Sequence, residues 1–85
     1  MVINFPPVVT TNTIDDQIDK IFEEAFEVFK ANASHDEPHT IHELWDVAQA
    51  VITALHKFEQ KGHNIYAHRD EVYEKNKALG KYRGL

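Results

Sequence analysis

The sequence predicts an all-α fold: an antiparallel helical bundle of two long helices and one shorter helix, completed by oligomerisation. Three observations carry this. Apolar residues recur at helical spacing along two extended stretches. Capping and stop residues bracket those stretches. The chain is also small, 85 residues without a cysteine, which fits one domain. A domain of about 60 residues buries only about 60% of the surface its unfolded chain exposes. A chain not much larger, with no disulfide, is expected to gain stability from a partner.

Residues 1–12 read as an extended N-terminal arm. Pro6-Pro7 favours extended backbone, and Val8-Val9-Thr10-Thr11 favours a strand or extended segment. The helical domain spans residues 13–80. Its first helix starts near Thr13, which can cap the free N–H groups of the first turn; Asp15 and Asp16 follow where the helix dipole favours negative charge. Ile14, Ile18, Ile21, Phe22, Ala25, Val28 and Phe29 form its apolar stripe, which fades at Ala31-Asn32-Ala33-Ser34. Residues 34–40, with a proline, two histidines and two acids, connect to the second helix. Two starts are open for that helix: Thr40 and Glu43 have capping-box spacing, and Pro38 suits a first turn. Leu44, Val47, Ala48, Val51, Leu55 and Phe58 make its stripe. Lys61-Gly62 is a stop, because glycine accepts the left-handed conformation after a helix. A third, more polar helix covers about residues 65–79, with Ile65, His68 or Arg69, Val72, Tyr73, Asn76 and Leu79 on one side and Gly80 as its stop. Residues 81–85 form a basic, loose tail. A short connection between two long helices predicts an antiparallel pair.

Composition narrows the function. The 14 acidic and 9 basic residues give a formal charge of -5, which argues against coating nucleic acid by charge; the basic cluster is confined to the short tail and no reader motif precedes it. The missing cysteines exclude disulfides, zinc ribbons, iron–sulfur ligation and cysteine nucleophiles. Hydrophobic residues make up 42% of the chain, too many for a disordered tail. No apolar run approaches the roughly 20 residues that cross a bilayer. The start MVINFPPVV lacks the basic opening and long apolar stretch of a signal peptide. The expected address is cytoplasmic, with neither membrane nor nucleic acid as a partner.

The carboxylates break the amphipathic pattern. Glu24 and Glu27 are three apart on the first helix, and Glu43 and Asp46 three apart on the second. With Glu24 at zero on a helical wheel, Glu27 falls near 300° and the apolar stripe covers about 40° to 200°. With Glu43 at zero, Asp46 falls near 300° and the stripe covers about 20° to 200°. Each acidic pair therefore borders its stripe in the same sense. The segments also align at an offset of 19 residues (46 minus 27), Glu24-Ala25-Phe26-Glu27-Val28 matching Glu43-Leu44-Trp45-Asp46-Val47 in acid and apolar character. Antiparallel packing along those stripes can bring four carboxylates together at the margin of the core. Such groups repel one another unless a cation neutralises them. Oxygen-only, anionic ligation suits hard ions such as magnesium, manganese or calcium, and the expected chemistry is metal-assisted attack of water on a phosphate chain. The plainer reading is that these acids lie on solvated helix faces, with Glu43 the capping partner of Thr40 and Asp15, Asp16 and Glu23 ordinary surface acids.

Glu23-Glu24-Ala25-Phe26-Glu27 followed by Glu43-Leu44-Trp45-Asp46 resembles the EExxE…ExxD signature of the MazG-like nucleotide pyrophosphohydrolases, in the all-α NTP pyrophosphatase group. Glu74-Lys75-Asn76-Lys77-Ala78-Leu79-Gly80-Lys81-Tyr82 resembles the Lys-Asn-rich segment of the short phage and bacterial members. The resemblance covers about residues 14–82. It departs at Leu79, where a basic residue is common, and in the lack of room for a full fourth helix, so a partner subunit is expected to complete the bundle and the nucleotide pocket. The resemblance implies a homodimer or homotetramer. It implies magnesium, with manganese as an alternative, held by Glu24, Glu27, Glu43 and Asp46, and Glu23 as an outer group or a base orienting water. It implies hydrolysis of a nucleoside triphosphate between the α and β phosphates, giving a monophosphate and pyrophosphate. In that context Lys75, Lys77 and Lys81, with Arg83 behind them, are expected at the phosphates and Asn76 at sugar or base; each lysine is otherwise an ordinary surface charge. Trp45 and Phe26 are either core residues or base-stacking platforms.

Two other functions compete. His35, His39 and His42 lie near Asp36 and Glu37, and His42-Glu43-Leu44-Trp45-Asp46 echoes the zinc-hydrolase motif HExxH, but the second histidine is replaced by Asp46. The other alternative is a non-catalytic helical oligomerisation or nucleotide-sensing module.

Overall fold

The computed structural model describes residues 4–84. Met1, Val2 and Ile3 of the expected arm and Leu85 of the expected tail lie outside the described residues. Among the described residues the chain is all-helical, with α1 at Ile14–Ala33, α2 at Glu37–Gln60 and α3 at Ile65–Ala78, and no strand.

Each start is fixed by a side chain. Thr13 opens α1 with a reciprocal box: its hydroxyl accepts from the Asp16 N–H at 3.0 Å, and the Asp16 carboxylate accepts from the Thr13 N–H at 3.2 Å. Asp36 opens α2, accepting from the His39 N–H at 3.1 Å, with Pro38 in the first turn. Of the two starts open in the sequence, the proline-led one is therefore realised. Thr40 lies inside the helix and donates its hydroxyl back to the Asp36 carbonyl at 2.7 Å. Asn64 opens α3 by accepting from the Ala67 N–H.

The three helix ends share one device. At Gly62 and Gly80, both with positive φ, the chain turns left-handed; paired backbone bonds then close the last turn, Gly62 to Glu59 and His63 to Phe58, Gly80 to Lys77 and Lys81 to Asn76. The end of α1 repeats the pattern with a non-glycine residue. His35 sits at φ 58°, its N–H donating to the Asn32 carbonyl at 3.1 Å and that of Asp36 to Ala31 at 3.4 Å.

Helices α1 and α2 pack along their lengths, while α3 touches α2 near its end. The contacts run in opposite sequence order along α1 and α2: Gln17 meets Ala50, and Glu24 meets Glu43 and Asp46 nearer the connection. Small side chains line the seam. Ala31, Ala50 and Ala54 are buried, with Gln17 and Thr53 as buried polar groups. The stripes expected to form a core are largely outside it: Ile18, Phe22, Phe29, Leu44 and Leu55 are exposed. Stripes spanning about 160° to 180° are too wide for one neighbouring helix to cover. The radius of gyration, 14.9 Å, exceeds the roughly 12 Å of a compact chain of this length.

The arm forms no strand among the described residues, having no sheet edge to pair with; helix side chains satisfy it instead. The Val8 N–H donates to the Thr53 hydroxyl at 3.1 Å, the Gln49 amide to the Pro6 carbonyl at 2.9 Å, and the Lys57 ammonium to the Asn12 carbonyl at 2.8 Å. Phe5 packs on Trp45 with ring centroids 5.3 Å apart. The tail, expected to be loose, folds back on α3: Tyr82 stacks on Tyr73 at 5.2 Å and accepts from the Asn76 amide at 3.4 Å.

Candidate metal centre

Helix α1 contributes Glu24, and α2 contributes Glu43 and Asp46, nearly one turn apart. Each offers one carboxylate oxygen, and these three atoms lie within 4.8 Å of one another. Among the described residues they are the one group of three or more histidine, aspartate or glutamate side chains that gathers in this way. The register is held close by. Buried Gln17 donates to the Ala50 carbonyl across the seam at 3.0 Å and accepts from Asn12 of the arm at 2.9 Å. Fixing this cross-helix bond fixes which turn of α2 faces Glu24.

The surroundings raise the electrostatic stakes. The Glu24 and Glu43 side chains keep only 17% and 16% of their exposure, while Asp46 is open to solvent. Partial burial weakens the solvent screening that three adjacent negative charges need. Two side chains respond. The Lys20 ammonium lies 3.2 Å from Glu24 and 3.9 Å from Glu23. The hydrogen bond to Glu24 and the field of that carboxylate, opposed by desolvation and helped by Glu23 and Asp46, hold the Lys20 pKa above the ordinary lysine value. On the other side, His39 Nε2 is 3.0 Å from a Glu43 oxygen, which orients that carboxylate.

A cleft of about 350 Å³ opens beside two of these acids, Glu24 and Asp46. Lys20, Glu24 and Asp46 line it with the neutral groups of Gln17, Gln49 and Thr53, and the arm walls it with Val8, Thr10 and Asn12. The donor set fits a hard divalent ion. Oxygens bound to one magnesium at about 2.1 Å are at most about 4.2 Å apart, and those on one calcium are at most about 5 Å apart. An oxygen group spread over 4.8 Å is within a side-chain adjustment of the first and already inside the second.

The structure thus brings together three of the four expected acids. Glu27 instead pairs with Lys30 at 2.8 Å and is nearly half exposed. Glu23 is solvated, with a side chain 71% exposed. Lys77 lines a separate pocket with Tyr73, Tyr82 and Arg83 that shares no residue with the acid cleft. Trp45 pairs with Phe5 of the arm, and Phe26 stacks on Phe29 at the surface. His35, His39 and His42 do not gather into a metal-holding group among the described residues. The sequence reading missed the partners of the acids, Lys20 and His39. Their signal was present: each precedes its glutamate by four residues, the spacing that stacks side chains on a helix. No family model, curated protein or solved structure matches the chain.

Proposed function

We propose that this chain is a divalent-cation-dependent nucleoside triphosphate pyrophosphohydrolase that uses magnesium or manganese. The observation carrying the reading is the convergence of Glu24, Glu43 and Asp46 from two helices, beside a cleft that Glu24 and Asp46 line. The similarity of the acidic motifs to those of the MazG-like enzymes supports it.

In this reading Glu24, Glu43 and Asp46 hold the cation, with Glu27 joining after release from Lys30. The bound cation supplies Lewis-acid polarisation of the phosphate chain and lowers the pKa of a water. His39 keeps Glu43 aimed at the centre through its 3.0 Å contact. Water attacks one phosphorus of the α–β anhydride, the bridging bond breaks, and monophosphate and pyrophosphate leave with one proton released. Asp46, the most solvent-open acid of the three, accepts that proton and passes it to bulk water.

The same proposal includes an antiparallel bundle completed by a second copy. On antiparallel helices, stripes displaced from their acids in the same rotational sense share one side of the two-helix layer, opposite the cleft. Ile18, Phe22, Phe26 and Phe29 of α1 and Ile41, Leu44 and Leu55 of α2 are exposed by 37% to 72%. At about 150–250 Å² for an aromatic side chain, and somewhat less for an aliphatic one, they leave roughly 700 Å² uncovered. Two such faces bury roughly 1,400 Å², the size of a stable protein interface.

The test is turnover. Purified protein with magnesium and a panel of standard and modified (deoxy)nucleoside triphosphates should yield monophosphate and pyrophosphate in equal amounts. Glu24→Gln and Asp46→Asn should each abolish turnover while retaining the helical circular-dichroism signal. Binding of nucleotides without turnover across the panel would replace the enzyme with a sensor.

A further inference from the structure

The acid cleft contains its own cation. Lys20 stands one helical turn before Glu24, its ammonium 3.2 Å from the Glu24 carboxylate and 3.9 Å from Glu23, and it lines the cleft beside Asp46. Helix stability gives little reason for this placement. A lysine preceding a glutamate by four residues is the less favourable orientation of such a pair, and a half-exposed ion pair contributes little. The Lys20 side chain is 52% exposed, so its long stem has room to move. The lysines expected from the sequence to meet phosphate are elsewhere, Lys77 around a pocket that shares no residue with this cleft.

We propose that Lys20 has two alternating partners: in the free protein it is the tethered counter-ion of Glu24, and when a metal–polyphosphate enters it releases the carboxylate and binds the phosphate chain. This inference rests on the proposed metal centre and adds to it a phosphate-binding residue from the same subunit. The physical basis is exchange of charge partners. A divalent ion reaching Glu24 must displace a positive charge already in contact with it. The phosphate oxygens that arrive with the ion then offer the displaced ammonium a new anionic partner. Lys20 thereby disfavours the bare ion and favours the ion carrying a polyphosphate.

The signature is two effects of opposite sign. In calorimetric titrations with Mn²⁺ alone, Lys20→Gln should bind about tenfold more tightly than the parent protein, the effect of removing a unit charge about 5 Å from a divalent ion in water-like surroundings. In titrations with Mn²⁺–tripolyphosphate, the same variant should bind about tenfold more weakly. Lys20→Arg should keep the parent order of affinities. A purely structural role shifts both affinities in one direction and lowers the melting temperature. If the parent protein binds Mn²⁺ and Lys20→Gln leaves both affinities unchanged, or moves them together, the exchange is refuted and the acid centre stands. If neither protein binds Mn²⁺ at millimolar concentration, the centre itself is refuted and the role of Lys20 with it.

Discussion

If two copies pair through the exposed apolar face as proposed, replacing Phe22 by aspartate should convert the dimer into monomers. Phe22 lies on α1 with 72% of its surface exposed, about 140 Å² of a side chain of roughly 200 Å². Covering that area contributes about 3.5 kcal/mol at ~25 cal/mol per Å². A two-fold interface contains the residue twice, so the upper limit of the loss is about 7 kcal/mol per dimer. Association loses side-chain freedom and desolvates polar rims, so only part of that figure is realised. At half of it, the dissociation constant rises several hundredfold. Desolvating the introduced carboxylate adds to the effect. Sedimentation velocity across a micromolar concentration series measures it directly. The parent chain should sediment well above its 9.8 kDa mass and Phe22→Asp at that mass, with circular dichroism confirming that helices remain. Parent and variant sedimenting alike, whether both as monomers or both as oligomers, would refute the assignment of this face.

Three further predictions concern the helical frame. His35→Gly should raise the melting temperature by about 3–6 °C: relief of the left-handed conformation at φ 58° is worth about 1–2 kcal/mol, offset by about 0.5–1 kcal/mol of extra chain entropy. Gly62→Ala, where no atom crowds the added methyl and only backbone strain opposes it, should lower the melting temperature; agreement in sign between the two variants in a thermal melt would defeat the reasoning. Thr53→Val should cost about 1–2 kcal/mol, because Thr53 is 2% exposed and its hydroxyl accepts from the Val8 N–H. Amide hydrogen exchange at Val8 should accelerate in that variant, and unchanged protection there would show that the arm is held by other contacts.

Much of the fold was legible because the signals were local. Thr13 with Asp16, Gly62 and Gly80 are boundary markers whose chemistry depends on near neighbours, and they stand where the helices begin and end. The start of α2 was ambiguous because Thr40 and Glu43 have capping-box spacing while Pro38 suits a first turn, and choosing between them needed the turn at His35. That turn was hidden, since left-handed ends are read from glycine or asparagine and here a histidine adopts one. Helical periodicity identified the apolar faces, but periodicity cannot say whether the neighbour covering a face belongs to the same chain. Glu24, Glu43 and Asp46 were recoverable from their wheel positions. Glu27 shares that regularity, and Lys30, three residues later, draws it aside.

The bend between α1 and α2 leaves no slack. Asp36 closes one helix with its backbone N–H and opens the next with its carboxylate, so the two rods are joined through a single shared residue. Inserting one amino acid into α2 between this joint and Glu43 would rotate the remainder of that rod by about 100° and advance it about 1.5 Å. Glu43 and Asp46 would then swing around the axis, away from Glu24. Chain length at this corner is thus a setting of the three-acid group itself, and tolerance of insertions belongs to the ends of the molecule rather than to its elbow.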